Sequence, residues 1–79
     1  MALIQSISPG PDKARHTVHK ETKCFSWVFA QDEARYLQLD TYGTDDREFP
    51  EKVSQSIQFN EESARQLKQM IEQSFPNLS

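Results

Sequence analysis

Residues 52–75, KVSQSIQFNEESARQLKQMIEQSF, constrain the fold of this chain more than any other stretch. Apolar and polar residues alternate over residues 53–59, which is the pattern of a half-buried strand. The side predicted to face the core carries Val53, Gln55, Ile57 and Phe59. The opposite side carries Ser54, Ser56 and Gln58. The stretch therefore begins with a strand that has one apolar and one polar side.

A helix is predicted directly after this strand, over residues 61–75. Asn60 is a favourable N-cap, because its side-chain oxygen can accept from a free backbone N–H of the first turn, and Glu61 and Glu62 suit the positive end of the helix dipole. The predicted apolar stripe consists of Ala64, Leu67, Met70, Ile71 and Phe75. Pro76 cannot continue the helix. The result is one amphipathic helix whose stripe can cover a sheet.

Two further strands precede this stretch, at residues 22–30 and 35–42, joined by a hairpin loop at residues 31–34. Residues 1–12 form a short segment and a Pro/Gly turn, and that segment is able to add an edge strand. Residues 13–79 then form a single domain with a basic arm at 13–23. The fold class predicted from this order is α+β: an antiparallel meander of three to four strands followed by one C-terminal helix packed on one sheet face.

The two sides of the first long strand differ in composition. Phe25, Trp27 and Phe29 lie on one side, and we assign that side to the core because aromatic side chains are usually buried. The polar face of the sheet would then show Tyr36, Gln38, Tyr42, Ser54, Ser56 and Gln58. A one-residue change of register would move the three aromatic residues to the outside, where they become alternative stacking residues.

Size and charge limit what the domain can be. With 79 residues, 35% hydrophobic residues and a mean hydropathy of −0.78, its core is thin, and small chains of this kind often gain stability by oligomerising. Residues 1–23 carry four basic and two acidic side chains, whereas the rest carries five basic and ten acidic ones. No apolar run approaches the ~18 residues of a membrane span. One cysteine, Cys24, permits no internal disulfide, which is consistent with a reducing, cytoplasmic location.

The order and spacing resemble the single-stranded-DNA-binding domain of the transcriptional coactivator called positive cofactor four, and its bacterial relatives. The resemblance covers about residues 24–72. It rests on the run Leu37-Gln38-Leu39-Asp40-Thr41-Tyr42, the charged loop at residues 45–52, the strand end Gln55-Ser56-Ile57-Gln58-Phe59-Asn60, and Leu67 in the helix. The chain departs from that family at Asp40 and in having fewer basic residues in its strands.

The resemblance implies a four-stranded antiparallel sheet, one helix, and dimerisation through that helix. In this chain the apolar helix stripe supplies the predicted dimer contacts, Leu67, Met70, Ile71 and Phe75. The predicted polar sheet face and the cations at its rim supply the predicted nucleic-acid contacts: Lys23, Arg35, Tyr36, Gln38, Tyr42, Arg47, Lys52, Ser54 and Ser56. Tyrosine rings can stack on bases, amides and hydroxyls can reach base edges or phosphates, and cations can neutralise phosphates.

Catalytic and metal chemistry find little support in the sequence. His16, His19 and Cys24 offer only three ligands and no paired-cysteine spacing. The acidic loop with Asp45, Asp46, Glu48 and Glu51 lacks the spacing of a calcium loop, and Arg47 and Lys52 offset its charge. We therefore predict no catalytic residues, no metal and no cofactor. The basic arm 13–23 is equally compatible with a phosphate-binding tail and with an ordinary polar tail.

The predicted function is that of a small dimeric protein that holds single-stranded or unpaired DNA or RNA on its open sheet face, in transcription regulation, DNA defence or a phage setting. The setting comes from the resemblance alone. The alternative is a non-enzymatic protein–protein interaction module or regulatory subunit that uses the sheet face or the helix stripe.

Overall fold

The computed structural model describes residues 1–11, 15–43 and 53–78. Its elements are β1 (Ala2–Ile4), β2 (Cys24–Gln31), β3 (Ala34–Tyr42), β4 (Val53–Phe59) and α1 (Glu61–Ser74). The predicted α+β class and the element order are confirmed. The predicted bounds of β4 match the observed ones, those of β2 and β3 differ from them by one or two residues, and the helix ends one residue early.

The sheet has the order β1-β4-β3-β2. Strands β2, β3 and β4 form the predicted antiparallel meander. The N-terminal segment does add an edge strand, but β1 runs parallel to β4, pairing Ala2 with Ile57 and Ile4 with Phe59. The sheet is therefore mixed. The chain crosses from one edge of the sheet to the other between β1 and β2, and on the way the Ile7 backbone N–H donates to Oε1 of Gln66 on α1, at 2.6 Å.

The turn between β2 and β3 is tighter than predicted. It contains only Asp32 and Glu33, both with positive φ, at 52° and 66°. When both residues of a two-residue loop are left-handed, the backbone twist of the turn matches the right-handed twist of the two flanking strands. This turn sets the register that pairs Phe29 with Tyr36 and Trp27 with Gln38.

The N-terminus of α1 is capped as predicted. The Ser63 backbone N–H donates to the Asn60 side-chain oxygen at 2.9 Å, and the Asn60 N–H donates to the Ser63 hydroxyl at 3.1 Å. Ser63 thus completes a reciprocal capping box and is fully buried. At the other end, the Phe75 N–H donates to the Ile71 carbonyl.

The helix packs on β3 and β4, and the core beneath it is thin. Phe59 is the one buried hydrophobic side chain among the described residues, at 5% exposure. Leu37, Leu39 and Leu67 are half-buried around it. Strand β2 lies beyond the helix at the sheet edge, so its helix-side residue Val28 stays 70% exposed. Within the described residues, the fold is a single sheet with one face partly covered by α1, and no helix or strand covers the other face.

Candidate functional site: an open aromatic sheet face

We call the side of the sheet opposite α1 the open face. Directly opposed residues of an antiparallel pair lie on the same side of the sheet. Phe25 is paired with Asp40, Trp27 with Gln38 and Phe29 with Tyr36. The strand β3 residues Leu37 and Leu39 lie on the helix side with Phe59 and Ile57. The open face therefore carries Leu3, Phe25, Trp27, Phe29, Tyr36, Gln38, Asp40, Tyr42, Ser56 and Gln58.

The prediction that Phe25, Trp27 and Phe29 face the core was wrong. The alternative, with these residues on the outside, describes the structure. The physical reason is the register: Leu37 can face the helix only if its partner Val28 does so too, and this turns the odd-numbered residues of β2 outward. Phe25 and Trp27 are 51% and 52% exposed.

The aromatic rings of the open face form two groups. The Phe29 ring stacks on Tyr36, with centroids 5.5 Å apart and planes 26° apart. The Phe25 ring meets Tyr42 edge-on at 5.5 Å and approaches Trp27 at 6.4 Å. These distances lie in the range where aromatic pairs attract each other. The rings therefore support one another from β2 to β3 while Phe25 and Trp27 keep about half of their surface in solvent.

A polar network centred on Asp40 lies next to these rings. The Trp27 indole N–H donates to Asp40 Oδ2 at 3.0 Å, and the Gln38 amide donates to Oδ1 at 3.0 Å and to Oδ2 at 3.2 Å. The Gln58 amide donates to the Gln38 carbonyl at 2.8 Å, and the Ser56 hydroxyl also donates to Asp40. Gln55 takes no part in this network, because it pairs with Thr41 on the helix side.

The network explains how a carboxylate is tolerated in the middle of this face. Asp40 is buried, at 6% exposure. The hydrogen bond from Ser56 is the largest influence and lowers the pKa of Asp40; burial opposes it, and the bonds from Gln38 and Trp27 reinforce it. Asp40 is thus ionised at neutral pH with both oxygens engaged. Three side chains donate to its two oxygens, and one of them is Trp27, so the carboxylate restrains the orientation of the indole ring.

A shallow cavity of about 420 Å³ lies beside the network, toward β1. Its lining includes Leu3, Gln38, Asp40, Val53, Ser56 and Gln58. Val53 was predicted to lie on the core side. Instead, an irregularity in the β3–β4 register pairs it with Tyr42, and it lines this open-face cavity. A bulge of this kind shifts the alternation by one residue, and Ser54 lies within it.

The predicted nucleic-acid residues are distributed unevenly. Tyr36, Gln38, Tyr42 and Ser56 come together on the open face. Lys23 is exposed immediately before β2, where the Thr22 hydroxyl donates to the Tyr42 carbonyl. Arg47 and Lys52, like the acidic loop, lie outside the described residues.

Arg35, the other predicted nucleic-acid-binding cation that the structure describes, does not lie on the open face. It pairs with Ala30 on the helix side and lines a groove of about 700 Å³ at the start of α1, together with Glu33, Glu61 and Glu62. Arg35 is therefore separated from the aromatic rings of Phe25 and Trp27 by the thickness of the sheet.

The remaining predicted sites are less defined. Leu67 and Met70 are half-buried against the sheet, whereas Ile71 and Phe75 are exposed, so dimerisation through α1 stays a prediction.

Within residues 1–11, 15–43 and 53–78, no group of three or more His, Cys, Asp or Glu side chains is placed to hold a metal ion. No helix in this part of the chain is long and apolar enough to cross a membrane.

Comparisons of the chain with protein-family models, with curated proteins and with solved structures found no match. The resemblance to the positive cofactor four domain therefore stays a prediction.

Sequence reasoning missed the link between Asp40 and Trp27 and the outward direction of the β2 aromatic residues. A signal for both was present. A hairpin that pairs Ala30 with Arg35 necessarily places Phe29 beside Tyr36 and Trp27 beside Gln38. The hydrophobicity of β2 taken by itself favours the opposite side. The requirement that paired residues share a side turns Phe25, Trp27 and Phe29 away from the helix.

Proposed function

We propose that this chain binds single-stranded nucleic acid on its open face, with the rings of Phe25 and Trp27 as stacking platforms. The observation that carries the proposal is the half-exposure of these two rings at alternate positions of one strand, braced by Tyr42 and by Asp40. A solvent-exposed aromatic row is costly to keep in water unless a ligand covers it. Bases stack on such rings without regard to sequence, because every base has a π-face.

The mechanism follows from the spacing of the rings. Alternate residues of a strand stand about 6.6–6.8 Å apart, which agrees with the 6.4 Å between the Phe25 and Trp27 centroids. Two successive unstacked bases can each meet one ring, and the Phe29–Tyr36 stack continues the row toward the hairpin turn. Each stacked base is worth about 1–3 kcal/mol.

Contacts between cations and phosphates contribute less to the affinity of this face than in most proteins that bind single-stranded nucleic acid. Lys23 lies at the end of the aromatic row, and the continuing alternation of β2 directs it toward the same side as Phe25. Each phosphate contact in a single-strand complex contributes about −0.7 to the slope of log K against log salt. We therefore expect a shallow salt dependence, and we expect Lys23→Gln to reduce the slope by about that amount.

The test is a fluorescence-anisotropy titration of a labelled, unstructured oligonucleotide at low salt. Phe25→Ala removes a stacking ring without removing a hydrogen-bond donor to Asp40, and the control is Leu78→Ala, an exposed apolar side chain beyond the end of α1. We expect Phe25→Ala to weaken binding by about 5- to 150-fold and Leu78→Ala to leave it unchanged. Trp27 is the only tryptophan, so its fluorescence should be quenched on binding. Equal affinity of the two variants, or no binding by the wild type, would exclude the proposal.

A protein partner is the second candidate, and one specific observation favours it. On the open side, β2, β3 and β4 carry rings, amides, hydroxyls and the enclosed Asp40 carboxylate, but no lysine or arginine. Apolar rings surrounded by polar groups without positive charge also suit a protein surface. A photo-crosslinking amino acid at position 25, activated in cells, separates the two candidates: adducts digested by nuclease support the first, and adducts digested only by protease support the second.

A further inference from the structure

Strand β2 forms an unusually open edge of the sheet. It is the last strand in the order β1-β4-β3-β2 and runs for eight residues, CFSWVFAQ, of which all but Phe29 are exposed. It contains no charged residue and no proline. Native proteins normally protect an edge with lysine, proline, a bulge or a very short strand. The opposite edge, β1, has only three residues, whereas β2 has none of these protections.

The turn determines which backbone groups of β2 are unpaired. A two-residue loop is closed by a hydrogen-bonded pair, here Gln31 and Ala34. Hydrogen-bonded and non-hydrogen-bonded pairs then alternate along the antiparallel ladder. The odd-numbered residues of β2 therefore bond to β3. The N–H and C=O groups that point to the free edge belong to Cys24, Ser26, Val28 and Ala30.

We propose that two copies of this chain pair through their β2 edges, antiparallel and around a twofold axis that passes beside Trp27. In this register Ser26 bonds to Val28 of the second copy, and Cys24 bonds to Ala30 of the second copy. All the edge groups are then used, in about eight inter-chain hydrogen bonds. Any other register leaves some of them unpaired.

The second copy is the favoured occupant for three reasons. The strand is uncharged, so pairing it with itself opposes no like charges. The axis places Trp27 opposite its own symmetry mate and Phe25 opposite Phe29 of the second copy, and aromatic cross-strand pairs are stabilising. At both ends, Lys23 comes next to the Asp32–Glu33 turn of the other copy, where the charges are complementary.

The pairing also completes the open face. An antiparallel twofold pair within one sheet has its axis perpendicular to the sheet, so both open faces lie on the same side. The two four-stranded sheets become one of eight strands, and the second copy contributes its Phe25, Trp27 and Phe29 to a single aromatic surface. Only the use of that surface by nucleic acid rests on the function proposed above. The dimer itself does not depend on nucleic-acid binding.

Sedimentation equilibrium of the full chain tests the interface. The matched variants are Val28→Lys, at the centre of the free edge, and Val18→Lys, on the arm, where the valine is 99% exposed. We expect a wild-type dimer, a dimer Kd raised by about tenfold or more in Val28→Lys, and an unchanged Kd in Val18→Lys. Far-UV circular dichroism establishes that each variant is folded. A wild type that is monomeric at about 100 µM, or a Val28→Lys protein that dimerises normally, would overturn the proposal.

Disulfide trapping tests the register. Opposed residues of a non-hydrogen-bonded antiparallel pair have Cα atoms about 4.5 Å apart, within disulfide range. Trp27→Cys in a Cys24→Ser background should therefore form an inter-chain disulfide on mild oxidation. In the wild type, the two copies of Cys24 lie about 20 Å apart, six residues along the strand, and should not crosslink. A double variant with Cys24→Ser and Ile71→Cys reports on the helix instead, and its selective crosslinking would overturn the β2 interface in favour of α1.

Discussion

The hairpin turn between β2 and β3 offers the most direct test of the register that places the aromatic rings outward. Glu33 has φ 66°, in the left-handed region. A side chain with a Cβ is strained there, whereas glycine adopts this conformation freely. Asp32 precedes it, and Asp-Gly is among the preferred pairs for a two-residue hairpin turn of this twist. We therefore predict that Glu33→Gly stabilises the protein.

The size of the effect follows from two opposing contributions. Relief of the left-handed conformation is worth about 1–2 kcal/mol. The extra conformational entropy that glycine loses on folding costs about 0.5–1 kcal/mol. The free energy of unfolding should therefore increase by about 0.5–1 kcal/mol. For a domain of this size, that raises Tm by about 2–8 °C.

Thermal unfolding followed by circular dichroism, at one fixed protein concentration, measures the shift. Fixed concentration is necessary because oligomerisation makes Tm concentration-dependent. Glu33→Ala is the control, since it removes the same charge but keeps a Cβ at positive φ. Glu33→Asn should be intermediate, because asparagine tolerates this region. If Glu33→Gly is no more stable than Glu33→Ala, then the turn does not have this conformation, and the register that depends on it is wrong.

Three further predictions concern the packing and the network. Asn60→Ala should cost about 1 kcal/mol by removing the N-cap, whereas Asn60→Asp should be nearly neutral; urea unfolding measures both, and equal losses would contradict the capping box. Phe59→Ala should cost about 3–5 kcal/mol, comparable with the whole stability of a chain this size, about 4–12 kcal/mol. The more exposed Ile57→Ala should cost less in the same urea titration, and the reverse order would refute the assigned core. Because the pKa of Asp40 is lowered on folding, its stabilisation is present at neutral pH and is lost as pH falls through the folded-state pKa, below about pH 5. Ser56→Ala, which removes the largest cause of that shift, should make the urea midpoint less dependent on pH over that range, and an unchanged pH profile would contradict the network.

The sequence predicts well those features that depend on near neighbours. The strand over residues 53–59, the Asn60 cap and the helix that follows are all specified within a few residues of one another, by alternation, by a side-chain acceptor and by a 3–4 residue repeat. All three are confirmed. The capping box shows the limit of this reasoning, because the reciprocal role of Ser63 was not predicted even though the cap itself was.

The site was less predictable, because alternation gives a strand two sides without saying which one the helix covers. For β4 the difference in hydrophobicity was sufficient, except at Val53, where a bulge reverses the side. For β2 it was misleading. The strand lies at the edge, beyond the helix, where neither side is well buried, so burial could not select the side for Trp27.

The sequence by itself determined the local elements and the amphipathic character of each. Only the tertiary structure decided which face became the functional candidate. The turn at Asp32 and Glu33 fixed the pairing of β2 with β3, and that pairing brought Trp27 to Asp40, thirteen residues away along the chain. The physical reason is that such contacts are set by the register between strands, which depends on turn geometry and on long-range pairing rather than on the composition of either strand.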